Sequence, residues 1–453
     1  MKQGNVRESA LDVLLKIEQQ QAYSHLLLNE TIKRSNLSKK DVPLLTEIVY
    51  GTIQRQKTLD FYLTPFSKRP LEKLEKWVHI LLRLTLYQIV YLDRIPERAA
   101  VHEAVQIAKI RGHKGISGMV NGILRSILRS ELPSSDSIED PIKKMAVKTS
   151  HPEWLLARWE KQYGHETALR IAEGNLLYPV HTARVNRLKA SVPEVIEALG
   201  EEGLEARQSE HIPESIVITK GSLSATQPFK NGWLSIQDEG SMLVAYAMAP
   251  NKNERILDAC AAPGGKSTHL AEKMENTGEI VSLDIHKHKV GLIEEQVKRL
   301  GLTNVHAQAL DARRTSEHFS QESFDKILVD APCSGLGVIQ RKPDLKWSKK
   351  PEDIHRLSTI QREILQSVWP LLKPGGRLVY STCTIDQEEN NDVISSFVND
   401  NHDAKLDEAL LDRIPAKFYG SENKETGMIQ LFPGENATDG FFISSVMKIY
   451  KED

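Results

Sequence analysis

Cysteine is scarce in this 453-residue chain: there are three, Cys260, Cys333 and Cys383, and no C-x-x-C pair. That spacing offers neither a disulfide framework nor a thiolate zinc site, so no metal is expected. Aromatic residues make up only 6%. Long apolar runs are missing too, and nothing approaches the roughly 20 residues needed to span a bilayer. The longest candidate, WVHILLRLTLYQIVYL, is interrupted by His79, Arg83 and Gln88 and reads as a core helix. Residues 1–21 hold no apolar h-region and no small-residue cleavage site, so no secretory signal is expected. These absences point to a reduced, cytoplasmic protein with no membrane partner. Its length is too great for one ordinary core, and two or three domains are expected.

Charge is distributed unevenly. Residues 1–130 carry 21 lysines and arginines against 12 acids, while the remainder carries 38 against 49. A basic front on an acidic body suits a polyanionic partner such as nucleic acid, although a lysine-rich solvated helix surface would look the same.

Residues 5–130 repeat apolar side chains at helical spacing and predict an all-α domain, taken as 1–135. The stretch LPSSDSIEDP (132–141) reads as a linker. A small α+β domain is assigned to 145–232, from a strand at HTARVNRL, a helix at VPEVIEALGEEG and a strand at SIVITKG. Arg184, Arg187 and Lys189 in the first of these could touch RNA or simply be exposed strand charges. From 233 to 453, short apolar strands alternate with helices, which argues for an α/β parallel sheet with helices on both faces. FFISSVMKIY is expected as the final strand.

The first strand of that sheet runs into DACAAPGGKSTHLAEKM. Its turn, Cys260, Ala261, Ala262, Pro263, Gly264, Gly265 and Lys266, lets backbone approach a ligand closely. The G-x-G-x-x-G dinucleotide fingerprint is absent, and the leading glycine of a P-loop is replaced by Cys260. S-adenosylmethionine (SAM), which has no phosphate, fits better. Asp284 and Asp311 end the next two strands, where carboxylates can meet a ribose diol and an adenine amino group. Cys260 is expected to line this loop without taking part in chemistry.

DACAAPGGKSTHLAE, VDAPCSGLG, STCTIDQEEN, QDEGSMLV and the closing TDGFF resemble the motifs of the Sun-type RNA cytosine-5 methyltransferases. The basic helical front resembles a NusB-type RNA-binding domain, and the combination is similar to the bacterial 16S rRNA members of that family. The resemblance implies three domains: a NusB-like helical front, a small α+β middle, and a Rossmann-like SAM-dependent methyltransferase domain. One departure is FPGENATDGFF, where Gly434 stands in place of an expected histidine.

The resemblance also implies roles. Cytosine C5 is a poor nucleophile until a thiolate adds to C6, which is covalent catalysis. By resemblance, Cys383 is the nucleophile, Cys333 assists proton removal or release, and the strands ending in VDAP and YSTC are neighbours. Asp330 would serve both the cofactor and the cytosine N3/N4 edge. Lys266 and the helix start after Gly265 could lower a thiol pKa. DNA cytosine methyltransferases use the Pro-Cys thiol as nucleophile instead, with a Glu-Asn-Val element this chain lacks. RKPDLKW brings Arg341, Lys342, Lys346 and Trp347 together, either to hold phosphates and stack a base or as a loop anchored by its tryptophan. The implied partner is 16S rRNA, naked or in an early small-subunit particle, and the protein is expected as a monomer. The alternatives are a tRNA cytosine-5 methyltransferase and a non-catalytic RNA-binding assembly factor.

Overall fold

The computed structural model describes residues 5–20, 24–34, 37–38, 40–419 and 427–450. It contains two compact units. One comprises the chain up to Leu176 together with Arg341–Ser348, and the other comprises Leu177–Gln340 and Lys349–Asp453. No described helix is long and apolar enough to cross a membrane.

The first unit is helical: Val6–Gln20, Ser24–Arg34, Val42–Gln54, Gln56–Leu63, Lys76–Tyr91, Glu97–Arg111 and Lys114–Ile127. Lys76–Tyr91 is the helix inside WVHILLRLTLYQIVYL, buried without interruption from Ile80 to Gln88. Its polar residues are all matched. Arg83 meets Asp60 and Glu18 at 2.6 Å each, His79 meets Asp60 at 2.7 Å, and Gln88 donates to the Leu84 carbonyl. A buried charge is tolerable only when paired in this way.

The 132–141 stretch holds only a short turn, Ser135–Ser137, before Asp140 caps a helix over Pro141–Thr149. That helix and the next two, Glu153–Tyr163 and His165–Gly174, pack with the helical unit. Thr58 Oγ1 donates to the Val147 carbonyl at 2.6 Å, and Lys57 pairs with Glu153 at 2.8 Å. By compactness, then, residues 145–176 group with the helical unit.

The second unit contains two sheets. The smaller has β1 (His181–Val185), β2 (Glu205–Gln208), β3 (Ser215–Lys220) and β4 (Leu234–Ile236) in antiparallel order β2-β3-β1-β4. Helix Val192–Glu201 contributes Val192, Val195 and Leu199 to a core with Ala183, Val185, Ile216 and Leu234. Strands β2 and β4 escape sequence reading because EARQ and LSI are too short to show alternation.

The larger sheet has β5 (Arg255–Asp258), β6 (Glu279–Asp284), β7 (Val305–Ala309), β8 (Phe324–Asp330), β9 (Leu372–Thr382), β10 (Ala404–Leu406), β11 (Met428–Leu431) and β12 (Phe441–Lys448). Its order is β10-β12-β9-β8-β5-β6-β7, with β11 also on β12. The strands from β9 to β7 are parallel, and β12 is antiparallel to β9. The chain winds one way from β5 through β6 to β7, then crosses to β8 and β9 on the other side. Such a reversal opens a crevice beyond the carboxyl ends of β5 and β8, where ligands bind in open α/β sheets. Gly434 has φ +82° at the start of the turn Glu435–Ala437, a conformation that glycine adopts without strain. Histidine would be disfavoured at that position in this loop.

Candidate active site

The turn after β5 enters helix Gly265–Lys273 with Gly264 at φ +102°, where a Cβ would lie 3.2 Å from the Ile293 backbone. Only glycine suits this close approach. Asp258, fully buried at the end of β5, accepts from Ser267 Oγ at 2.6 Å. Burial is the main reason its carboxyl is pushed up to about 7.

A cavity of about 430 Å³ lies beyond this edge, and Cys260, Asp284, Asp311, Asp330, Cys333 and Cys383 all face it. All three cysteines of the chain therefore meet at one site. Asp284 accepts from the His286 backbone N–H at 2.9 Å. Asp311 is clasped by Arg313, whose guanidinium donates at 2.7 Å and also reaches Glu363. That hydrogen bond holds the Asp311 carboxyl below its ordinary range. Burial, reinforced by Asp258, raises the Cys260 thiol well above its free value. It therefore lines the loop as a neutral group.

Lys266 Nζ donates to Asp330 Oδ2 at 2.7 Å, and Ser381 Oγ donates to Asp330 Oδ1 at 2.8 Å. The pairing follows from register, since Asp330 on β8 lies opposite Ser381 on β9. With its ammonium committed to a carboxylate, Lys266 does not stand as the phosphate ligand of a P-loop. Burial alone would lower its pKa, but the charges of Asp330 and Cys383 raise it overall. Carboxylates at strand ends and a tight glycine turn fit SAM, which presents a ribose diol and an aminoacyl group and has no phosphate.

The sulfur atoms of Cys333 and Cys383 are 3.4 Å apart. They sit just past the ends of β8 and β9, adjacent parallel strands. The Cys383 contact, burial and the charge of Glu389 raise the Cys333 thiol well above its ordinary value. Any lowering of a thiol pKa by Lys266 therefore does not apply to Cys333. Gly337 and Gly440 close the loop below: Gly337 N–H donates to the Cys383 carbonyl at 2.9 Å, and Gly440 N–H to the Gly337 carbonyl at 2.8 Å. A Cβ on Gly337 would lie 2.0 Å from the Gly440 carbonyl oxygen, which is sterically forbidden.

Two of the expected RNA contacts are corrected. Arg184 is 0% exposed and donates to Glu272 at 2.7 and 2.9 Å, to the Gly265 carbonyl and to Gln237. It ties the small sheet to the cofactor-loop helix. Lys346 is also fully buried, donating to the Gln54 carbonyl at 2.9 Å inside the helical unit. Trp347 donates to the Ile53 carbonyl at 2.8 Å and packs on the helical core, which is the anchor reading of RKPDLKW. Arg187 and Lys189 are exposed, with Lys189 Nζ donating to the Asn231 and Arg299 carbonyls at 3.0 and 3.2 Å, and Arg341 and Lys342 are half-buried. Ser334, Ser381 and Glu389 were not singled out in the sequence. Nothing local marks one serine or one acid of STCTIDQEEN as a partner of a loop some fifty residues away.

A parallel-centred sheet whose strand ends carry these acids, a glycine turn and a thiol pair defines a Rossmann-like methyltransferase. The chain belongs to the ribosomal RNA small subunit methyltransferase B family. Residues 245–447 match the 16S rRNA methyltransferase RsmB/F model, residues 4–129 the NusB family, and residues 151–223 the RsmF/B-like ferredoxin-like domain. It is 52% identical over 448 residues to the probable ribosomal RNA small subunit methyltransferase B of Bacillus subtilis, covering 99% of this chain and 100% of that protein. Identity to the corresponding Escherichia coli protein is 34% over 449 residues, covering 99% of each. Among solved structures, PH0851 superposes with a TM-score of 0.80 at 28% identity, covering 98% of each chain. NSun6 from Pyrococcus horikoshii, crystallised with SFG, gives 0.60 at 26%, covering 66% of this chain and 99% of that one.

Proposed function

We propose that the protein transfers the methyl group of SAM to C5 of a cytosine in 16S rRNA through a covalent bond between Cys383 and C6. The 3.4 Å separation of the Cys333 and Cys383 sulfurs carries this reading. Two thiols at one cavity wall, beside a carboxylate held by Lys266 and Ser381, suit an addition–elimination reaction on a pyrimidine. The names of the relatives support the rRNA substrate.

Cys383 is the nucleophile. Its neighbour Lys266 carries a positive charge that favours the thiolate, and the thiolate adds to C6 as the C5–C6 double bond opens toward C5. Asp330 accepts from the cytosine N4 amino group and holds the ring against the sulfur. SAM, when bound, supplies the methyl group to C5. Departure then requires loss of the C5 proton and cleavage of the C6–S bond. Cys333, which keeps its proton, gives it to the departing Cys383 sulfur and takes up the C5 proton in exchange. The C5–C6 double bond re-forms, and the proton finally leaves from Cys383 to solvent.

The test uses tritiated SAM and a 16S rRNA transcript. Cys383→Ser is expected to abolish label transfer, and Cys333→Ala to accumulate an RNA–protein adduct on a denaturing gel. Full activity of Cys383→Ser would remove that residue from its role. Turnover by Cys333→Ala without adduct would remove Cys333 from release.

A further inference from the structure

Behind the two thiols lies a buried carboxylate that the reaction above does not use. Glu389, 0% exposed, follows the Cys383 loop and turns back beneath it. Its Oε1 accepts from the Ser334 backbone N–H at 2.8 Å, and Ser334 Oγ lies 2.5 Å from its Oε2. Ser334 is the residue after Cys333. Its hydroxyl also meets Thr384 Oγ1 at 2.9 Å, and Thr384 is the residue after Cys383. Gln361, from helix Pro351–Val368, donates to Glu389 Oε1 at 3.2 Å and to the Pro332 carbonyl at 2.9 Å. Pro332 is the residue before Cys333. One carboxylate thus gathers the residues flanking both thiols.

We infer that Glu389 is a positioning residue that locks the Cys333 and Cys383 loops together and whose charge opposes a charge on Cys333. The second part of its effect rests on the cytosine-5 reading, since only there does the ionisation of Cys333 matter. Reacting groups misplaced by about 1 Å lose about a hundredfold in rate. Two thiols at contact distance on separate loops need such a fastening. Charge is the other consequence. Burial, only partly offset by the Ser334 hydrogen bond, pushes the Glu389 carboxyl up to about 7. Above that pH its negative charge opposes a second one on Cys333. The other groups around Glu389 are Asp386 on its own turn, which also raises it, and Tyr380 on β9. The Tyr380 hydroxyl donates to the Glu389 backbone carbonyl. The adjacent Glu388 is engaged by His355 at 2.9 Å.

The inference is tested by the rate at which iodoacetamide alkylates Cys333, followed by peptide mass spectrometry over roughly pH 6 to 10, a span that brackets the ordinary thiol pKa. The full-length protein carries Cys383→Ser, with or without Glu389→Gln. Glutamine keeps the acceptor toward Ser334 N–H but removes the charge, so the alkylation profile is expected to move to lower pH. Coincident profiles would overturn the electrostatic role. In the protein with both cysteines, Glu389→Ala is expected to lower methyl transfer about a hundredfold while SAM affinity by calorimetry stays within about twofold. Undiminished transfer would overturn the positioning role. Because alkylation needs neither RNA nor methyl donor, its outcome is independent of the cytosine-5 reading, which stands or falls on Cys383→Ser.

Discussion

Lys266 and Asp330, 64 positions apart in the chain, form a 2.7 Å ion pair across the crevice between the cofactor loop and the end of β8. The ammonium also lies 5.1 Å from the centre of the Phe441 ring. The pair joins the glycine turn after β5 to the end of β8, so in the proposed reaction one lysine would serve both the methyl-donor side and the substrate side of the site.

Replacing Lys266 with methionine keeps the stem and removes the charge. Adduct formation between Cys383 and RNA is expected to slow by about a hundredfold to a thousandfold, the usual loss when one preorganised electrostatic group is deleted. Rapid-quench kinetics of the adduct in the Cys333→Ala background reads this directly. An unchanged rate would show that the thiolate does not depend on Lys266.

Arg184→Ala leaves Glu272 buried without its partner, and burial already raises the Glu272 carboxyl. Breaking such a pair costs about 3–5 kcal/mol, so a marked fall in the melting temperature of the catalytic unit is expected. The exposed neighbour Arg187, changed to alanine, should shift stability by no more than about 0.5 kcal/mol. Equal, small effects from both would contradict the structural role given to Arg184.

The third expectation concerns pH. The Asp258 carboxyl is raised from its ordinary range to about 7 in the fold, chiefly by burial. Between the unfolded value and about 7, the native state therefore binds the extra proton, and stability falls as pH rises through that window. Asp258→Asn removes the buried charge, so its melting temperature should exceed that of the parent at pH 8, and the difference should disappear at about pH 4. Calorimetric scans at both values check the sign. A greater advantage in acid would refute it.

Much of the site was legible because it sits at strand exits. A side chain at or just past the end of a parallel strand can face the crevice, so Asp284 and Asp311 could be placed from local pattern, while the neighbouring strands that bring Asp330, Cys333 and Cys383 together were expected from the family resemblance. The basic residues were less readable. Arg184 lies in a strand that looks half-exposed in sequence, and its partner Glu272 is 88 positions away. Lys346 sits among Arg341, Lys342 and Trp347, yet it is buried against Gln54, 292 positions away.

The amino-acid order alone determined the alternation of strands and helices, the acids and thiols at their ends, and the helical front, because these follow from periodicity and from where a short motif meets a strand terminus. Tertiary structure alone decided that the two sulfurs touch, that Glu389 fastens their loops, and which cations are buried. Those outcomes depend on strand register and on partners far along the chain, and a charged side chain is written the same way whether it meets water or a carboxylate.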